Sequence, residues 1–382
     1  MSRVGRGVAT GVDRVERAYL DAFLAAPKPV FGLIHTPRTT YLMDRAGMQF
    51  LRRRFEGADW GPRDAFARLH LRLTPLQQAA RAALRRHAVG ANTLPEGPGV
   101  YFNVGHSNLR RERFEALGDA GFKRCVMIHD TIPLDYPAYQ RAEVPDQFRA
   151  KLDVALDGAD LILANSHATQ ADITRHARVG RLPPITVAPL GVTPPQPDPI
   201  HPLPEAPYFV ALGTIEPRKN LSFLLDIWDS FASDTPPIPV PQLHIIGARG
   251  WESEAVLRRL DAHPQRGSTI VEHGPLPDGA AAALLSGAAG LLFPSLAEGY
   301  GLPPIEALSL GTTPLCAPLP IYRETLGDKG IYASTHDVYL WRQQILNLVS
   351  AQQAGPNVNH RERTPFHPPT WDEHFAAVFA EI

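Results

Sequence analysis

The 382-residue chain has only two cysteines, Cys125 and Cys316. Both fall in apolar, strand-like runs, so they are expected as buried free thiols. That state belongs to a reducing compartment, and the expected location is cytoplasmic. No apolar run reaches about 18 residues, which excludes a helix that spans a membrane. The opening MSRVGRGVATGVDRVE has no apolar h-region, so no secretory leader is expected. Other absences remove whole chemistries. The chain has no Cys/His cluster of zinc spacing, no GxxxxGK[ST] loop and no G-x-S-x-G elbow. The stretch DGAD at 157–160 reads as a helix end rather than a metal site. No metal is expected, and phosphate chemistry is left to cationic side chains and a helix N-terminus.

What is present is ordinary in proportion: 44 % hydrophobic and 20 % charged residues. The length is large for one core, so two domains are expected. The net charge of −1 hides an asymmetry. Residues 1–192 hold 27 Lys+Arg against 19 Asp+Glu, a net of +8, whereas residues 193–382 hold 11 against 20, a net of −9. The basic half is suited to an anionic partner.

The stretch TPPQPDPIHPLPEAP, 193–207, has seven prolines in 15 residues. It reads as a stiff extended linker. On each side of it, short apolar runs alternate with helical patterns. PVFGLIH, GVYFNVG, KRCVMIHD, DLILANS and ITVAPLG precede it; PYFVALGTI, QLHIIG, STIVEHG, GLLFPS and TPLCAP follow. Continuous apolar strands between helices such as Val144–Asp157 and Asn220–Phe231 imply parallel sheets covered on both faces. The expected fold class is α/β, with two Rossmann-like domains facing a cleft. The expected division is an N-terminal acceptor-side domain at 1–192, the linker, a C-terminal domain at 208–365 and a terminal helix at 366–382. That last segment carries a capping-box pattern at Thr370 and Glu373 and an apolar stripe of Phe375, Val378 and Phe379. The pattern does not say where it docks.

The segment AEGYGLPPIEAL, 297–308, sets two carboxylates around a glycine-marked turn. A buried strand runs into it, and Pro303-Pro304 suits a helix start that ends by Gly311. Such a helix begins with free N–H groups and partial positive charge, an anion site. Gly299 and Gly301 allow close approach of the backbone to a ligand. Glu306 is expected in the first helical turn and Glu298 in the loop before it. Glu306 could simply complement the helix dipole while Glu298 is solvated; alternatively, an acceptor-only carboxylate grips a vicinal diol such as a ribose or sugar ring.

This spacing resembles the E-x7-E motif of the retaining family-4 glycosyltransferases, which have the GT-B fold. YFVALGTIEPRKNLSFLLDIW resembles that family's strand, glycine turn, R-K-N loop and helix, with Asn220 as a helix cap. Arg218 and Lys219 would hold a diphosphate, Arg through its fork and Lys as a point charge. EHGPLPDGA matches the segment that holds the nucleotide base, which implies His273 and Gly274, acting through backbone groups. VMIHDTIPLDYPAY resembles the family's strand ending in His-Asp, implying His129 beside the donor sugar. LILANSHATQADI and VAPLGV match further segments, and Ser166 could be a structural helix cap. The family's glycine loop near Gly11 would offer backbone N–H groups to the donor phosphate. Only ten residues, without an apolar run, precede Gly11, where the family has a strand. A missing strand, an upstream start or a different placement of the loop remain open.

The resemblance covers most of 100–345 and is most specific over 207–332. It implies a retaining, metal-independent hexosyltransferase in bacterial surface polysaccharide synthesis, of the lipopolysaccharide or capsule kind. The donor would be a nucleoside-diphosphate sugar and the acceptor a glycan or a lipid diphosphate. His129, Glu298, Arg218 and Lys219 would act at the sugar and leaving group. Gly11, Gly299, Tyr300, Gly301, Leu302, Glu306, His273 and Gly274 would bind the donor. HDTIPLDYP is similar to segments of mannosyl- and rhamnosyltransferases, which favours GDP-mannose slightly. A sugar-nucleotide epimerase on a similar fold and a non-catalytic nucleotide-sugar-binding paralogue stay as alternatives. An epimerase needs no acceptor, and a binding paralogue would show tight nucleotide binding without turnover.

Residues 51–88 carry nine arginines against three acids. Thr74, Pro75 and Gln77 start a helix whose Leu76, Ala80, Ala83 and Leu84 share a face. Arg81, Arg85 and Arg86 make its cationic end. This is either a charged surface helix or a surface for an anionic bilayer or lipid-diphosphate acceptor, which would make the protein peripheral on the inner face of the cytoplasmic membrane. No stacking motif or nucleic-acid module is present, so no nucleic acid is expected.

Overall fold

The computed structural model describes residues 10–36, 38–69, 72–178, 180, 182–233, 239–251, 253–354 and 366–382. The chain forms two compact units. The first is Met1–Met127 with Lys151–Leu163 and Val179–Pro184; the second is Ile128–Ala150 with Ala164–Arg178 and Ile185–Ile382. The 193–207 stretch belongs to the second unit and carries no regular strand or helix.

In the first half, strands β1 (Gly32–His35), β2 (Thr40–Met43) and β3 (Gly90–Ala91) form an antiparallel sheet. This corrects one expectation: PVFGLIH does not join a parallel sheet but folds back on TYLM as a hairpin. The helix Pro75–His87 and residues Met43, Leu51 and Trp60 build the core beside it. A four-stranded sheet follows, in the order β4 (Gly99–Asn103), β5 (Phe122–Ile128), β6 (Leu161–Ala164), β7 (Ile185–Val187). Strands β4 and β5 run parallel from Gly99↔Phe122 to Asn103↔Val126.

The helix Pro75–His87 has the expected capping box of Thr74 and Gln77, with proline in its first turn. Ala80, Ala83 and Leu84 are buried as its pattern implies, but Leu76 is 43 % exposed. The arginines around it are largely engaged. Arg52 pairs with Asp21 and Glu56, and Arg85 with Asp64; Arg86 bonds the Pro62 carbonyl at 2.9 Å.

The second half contains a six-stranded parallel sheet of β8 (Tyr208–Leu212), β9 (Gln242–Ile246), β10 (Ile270–Gly274), β11 (Gly290–Phe293), β12 (Pro314–Cys316) and β13 (Ile331–Tyr332). Its order is β10-β9-β8-β11-β12-β13. Numbered from its own first strand, that is 3-2-1-4-5-6, the doubly wound Rossmann order. The central strands β8, β11 and β12 read as unbroken apolar runs, as expected where both faces are covered: Phe209, Val210, Leu291 and Leu315 are each 0 % exposed. Trp228 and Trp341 are the largest fully buried side chains here, and each indole N–H has a carbonyl partner, Pro241 at 3.1 Å and Ala333 at 3.2 Å. Truncating either to alanine would cost about 3–5 kcal/mol, the usual range for a buried Trp.

The terminal helix Trp371–Phe379 has the expected Thr370–Glu373 capping box. It docks on the segment that follows β7. Val192 N–H donates to the Pro369 carbonyl at 2.9 Å, and His374 Nδ1 lies 3.2 and 3.0 Å from the Ala188 and Pro189 carbonyls. Gly191 is required there, because a Cβ would sit 2.4 Å from the Trp371 nitrogen. The buried face is His374 and Val378, while Phe379 of the expected stripe is 42 % exposed. Cys125 and Cys316 are buried and free, and burial pushes the Cys125 thiol up to about 12.

Candidate active site at the strand-order reversal

In open α/β sheets a ligand binds beyond the carboxyl ends of the strands, where their order reverses. Here that point lies between β8 and β11. The loop after β8 carries Glu216, Arg218 and Lys219; the loop after β11 carries Glu298 to Gly301.

The two loops meet through charge. Arg218 Nη1 lies 2.9 Å from Glu298 Oε1 and 3.0 Å from the Ala297 carbonyl, and its Nη2 lies 2.6 Å from Glu216 Oε1. Lys219 Nζ bonds the same Glu298 oxygen and sits 4.4 Å above the Phe293 ring centroid. The Leu296 N–H donates to the Arg218 carbonyl at 2.7 Å, which pins one loop on the other. Pro217–Lys219 is one 3-10 turn that ends at Asn220 in the left-handed region, φ 55°. Asn220 therefore stands at the expected cap position before the helix Leu221–Ser233, in a left-handed conformation rather than the extended one usual for a cap.

The cluster is largely buried, and its ionisation follows from that. Burial works against the Glu298 carboxylate, but Lys219 and Arg218 outweigh it and hold its pKa below the usual range. Burial lowers Lys219, only partly offset by Glu298. Burial also opposes the Arg218 charge, yet Glu298, Glu216 and Asp130 raise its pKa. Burial raises Glu216 and Asp130, against Arg218 in both cases. Glu216 and Asp130 join the cluster without having been expected there. Glu216 stands in IEPRK, directly before the loop cations, and Asp130 follows His129; those positions were the available signals.

Gly299 brings the His129 segment in. A Cβ at Gly299 would lie 3.0 Å from the His129 carbonyl oxygen and 3.0 Å from Asp130 Oδ2. His129 is 6 % exposed, and its carbonyl accepts from Asn165 Nδ2 at 2.9 Å. Ser166 caps the helix His167–His176 through the Thr169 N–H at 3.0 Å. The same helix end is held by Glu324, whose oxygens accept from the His167 and Ala168 N–H groups at 2.7 and 3.0 Å.

The helix after the second loop is Leu302–Ser309, with Gly301 at φ 84° before it. Of the N–H groups a helix leaves free at its start, Pro303 and Pro304 have none. The donors left are those of Gly301 and Leu302, extended backwards by Tyr300 and Gly299. The Tyr300 hydroxyl is already committed, donating to the Leu190 carbonyl at 3.1 Å. Only its backbone can serve a ligand. Because the helix starts at Leu302, Glu306 falls in the second turn rather than the first, and it is 5 % exposed. A role in complementing the helix dipole is correspondingly weak.

His273 and Gly274 end β10, two strands from β8. The ladder is irregular between Glu272 and Gly274. The His273 side chain turns to His244, ring nitrogens 2.8 Å apart, and Gly274 takes φ 66° with open space where a Cβ would be. Gly11 belongs to the first unit and is the first residue of the helix Gly11–Ala25, behind a Thr10–Asp13 capping box. The structure thus gathers Arg218, Lys219, Glu298, Gly299, Tyr300, Gly301, Leu302 and the His129 segment in one place. Among the described residues no group of three or more His, Cys, Asp or Glu could hold a metal ion.

The His244–His273 pair gives a pH signature. Burial, then His273, lowers His244 from 6.5 to about 4. In the window between these values the unfolded chain binds the extra proton, so stability falls as the pH falls. In pH-resolved denaturant unfolding, wild type should lose more stability from pH 6.5 to 4 than His244→Gln. Equal slopes would remove His244 from the account.

Residues 197–363 match the family of glycosyl transferases group 1. O-antigen chain mannosyltransferase B of Escherichia coli is 36 % identical over 131 residues, 34 % of each chain. The serotype-specific mannosyltransferase WbdA of Escherichia coli is 23 % identical over 346 residues, 85 % of this chain and 39 % of WbdA. The chain thus spans little more than a third of the length of these relatives. Among solved structures, sucrose-phosphate synthase from Thermosynechococcus elongatus superposes with a TM-score of 0.60 at 17 % identity, covering 97 % of this chain and 89 % of that one. HepE of Anabaena, in complex with UDP and glucose, gives 0.55 at 15 % identity, covering 74 % and 78 %. These likenesses assign the GT-B fold.

Proposed function

We propose that this chain, whose residues 197–363 match the family of glycosyl transferases group 1, is a retaining glycosyltransferase of surface polysaccharide synthesis. It moves a sugar from a nucleoside-diphosphate donor, GDP-mannose being favoured, to a glycan or lipid-linked acceptor. Three observations support this reading. The second-half sheet has the order that binds nucleotides at its reversal point. Two cations and an amide-rich turn converge there. Two mannosyltransferases of Escherichia coli, one of them an O-antigen chain mannosyltransferase, share sequence with this chain.

The cationic pair carries the reading. Breaking the bond between sugar and diphosphate builds negative charge on the leaving oxygen. Preorganised donors in a dry site stabilise such charge without reorganising, commonly the largest catalytic effect. Arg218 and Lys219 are held by Glu298 and Glu216, so they are oriented before the donor arrives. The N–H groups of Gly299 to Leu302 complete the anion grip, Glu306 holds the ribose, and Glu298 and His129 position the sugar ring. His273 and Gly274 border the base. This scheme needs no metal. Arg218→Ala should lower kcat/KM for transfer by at least about 100-fold, the scale of losing one charged transition-state donor. Glu306→Ala should raise KM more than it lowers kcat. Near-normal donor use by both variants would end these assignments.

Peripheral contact with an anionic membrane through 51–88 is part of the proposal. Phe66 and Leu69 are 71 % and 75 % exposed, beside the exposed Arg63, Arg68 and Arg72. Apolar side chains among cations fit the boundary of an anionic bilayer. Among the described residues, no helix is long and apolar enough to cross a membrane.

A further inference from the structure

The first unit holds a cationic group that has no ion pair among the described residues. Strand β4 ends at Asn103, and the chain runs through residues 104–110 into the helix Arg111–Asp119. Arg110 is the residue before that helix and Arg113 is three positions on, so both stand on one face. Arginines are unfavourable at the positive end of a helix. Arg111 is compensated by Asp157 at 2.8 Å. Arg113 is not. Its half-buried guanidinium lies 2.5 Å from the His35 ring nitrogens and 3.1 Å from Thr40 Oγ1, with no carboxylate at ion-pair distance among the described residues. Burial, then Arg113 and Arg110, lowers His35 to about 4, so at neutral pH it adds no charge to the two guanidinium groups. Arg110 is exposed, makes no side-chain cap bond and has no ion pair among the described residues.

A partly desolvated cation normally has a partner, because taking an ion out of water carries a penalty of several kcal/mol. Here two guanidinium groups and a neutral imidazole face each other without one, at the carboxyl end of a parallel strand, the edge where α/β sheets bind ligands. We propose that Arg110 and Arg113, with Thr40 and His35, form an anion site for a phosphate or diphosphate ester. The charge balance selects the ligand class. A phosphate monoester carries roughly −1.5 to −2 at neutral pH and offsets both guanidinium groups, which a single carboxylate would not. Guanidinium forks also match phosphate oxygens two at a time. This site does not depend on the glycosyltransferase reading. If that reading holds, the ester belongs to the acceptor.

Calorimetric titration with inorganic pyrophosphate tests it. Wild type should show two classes of site, this one and the 218–219 loop. Arg113→Gln should lose one class and keep the other. Arg110→Gln changes an exposed side chain and so spares folding; it should weaken the same class by roughly tenfold, as expected for a charge-assisted bond. Arg218→Ala should remove the complementary class. Should that variant alone change nothing, the donor assignment fails and this site stands. Identical heats and stoichiometry for wild type, Arg113→Gln and Arg110→Gln would overturn the proposal. Vesicles containing phosphatidylglycerol then identify the source: displacement of pyrophosphate from the Arg113-dependent class means a lipid headgroup, and its persistence means a soluble ester.

Discussion

Replacing Glu298 with alanine will destabilise the protein by about 3–5 kcal/mol, the range for removing one partner of a buried ion pair. The carboxylate is 8 % exposed and is the shared partner of Arg218 and Lys219. Without it, two cations remain buried against Glu216 and the nearby Asp130, with burial already lowering Lys219. The same argument fixes the response to ligand. A diphosphate in this site would supply the missing negative charge, so a nucleoside diphosphate should stabilise Glu298→Ala more than wild type. At 100 times its Kd, a ligand that binds only the folded state adds about 2.7 kcal/mol, and any gain in affinity for the variant comes on top. Thermal and denaturant unfolding with and without the nucleotide check this. A variant that loses the stability but gains nothing more than wild type from nucleotide would show that the cations face something other than a phosphate.

Gly301→Ala should cost about 2–5 kcal/mol. Its φ of 84° is a left-handed conformation, which penalises an L side chain by about 1–2 kcal/mol. The new Cβ would also stand 2.7 Å from Tyr322 Cε1, and Tyr322 is 0 % exposed, so the ring has nowhere to go; overpacking of this kind costs typically about 1–3 kcal/mol. Relief of that clash would move the Gly301 and Leu302 amides, so nucleoside-diphosphate binding should weaken together with stability. Unchanged stability within about 0.5 kcal/mol, the usual effect of a neutral surface change, would contradict the assigned backbone.

Much of the second half was legible in the sequence because its information is local. Unbroken apolar runs such as FVAL and GLLF read as strands covered on both faces, and the loops GTIEPRK and PSLAEGYG follow them directly. Capping boxes are local too, which is why Thr74–Gln77 and Thr370–Glu373 are found as expected. The hairpin of Gly32–His35 and Thr40–Met43 was not legible as antiparallel, since a four-residue apolar run fits either pairing. Glu306 was placed a turn early because prolines permit a helix to begin at any of several adjacent positions. His374 is buried at the core-facing position of the last helix, where two backbone carbonyls make an imidazole acceptable; composition alone ranks it below Phe379. Glu216 and Asp130 were missed because their meaning is tertiary. Arg218 and Glu298 are separated by about 80 residues, and only the strand order brings their loops together.

The most direct test is a structure of the protein with a nucleoside diphosphate bound, grown with and without a divalent cation. The account predicts the diphosphate at hydrogen-bond distance from Arg218 and Lys219 and from the backbone amides between Gly299 and Leu302, in the same position under both conditions. A nucleotide found elsewhere, or one whose phosphates reach the protein only through a divalent ion, would contradict it.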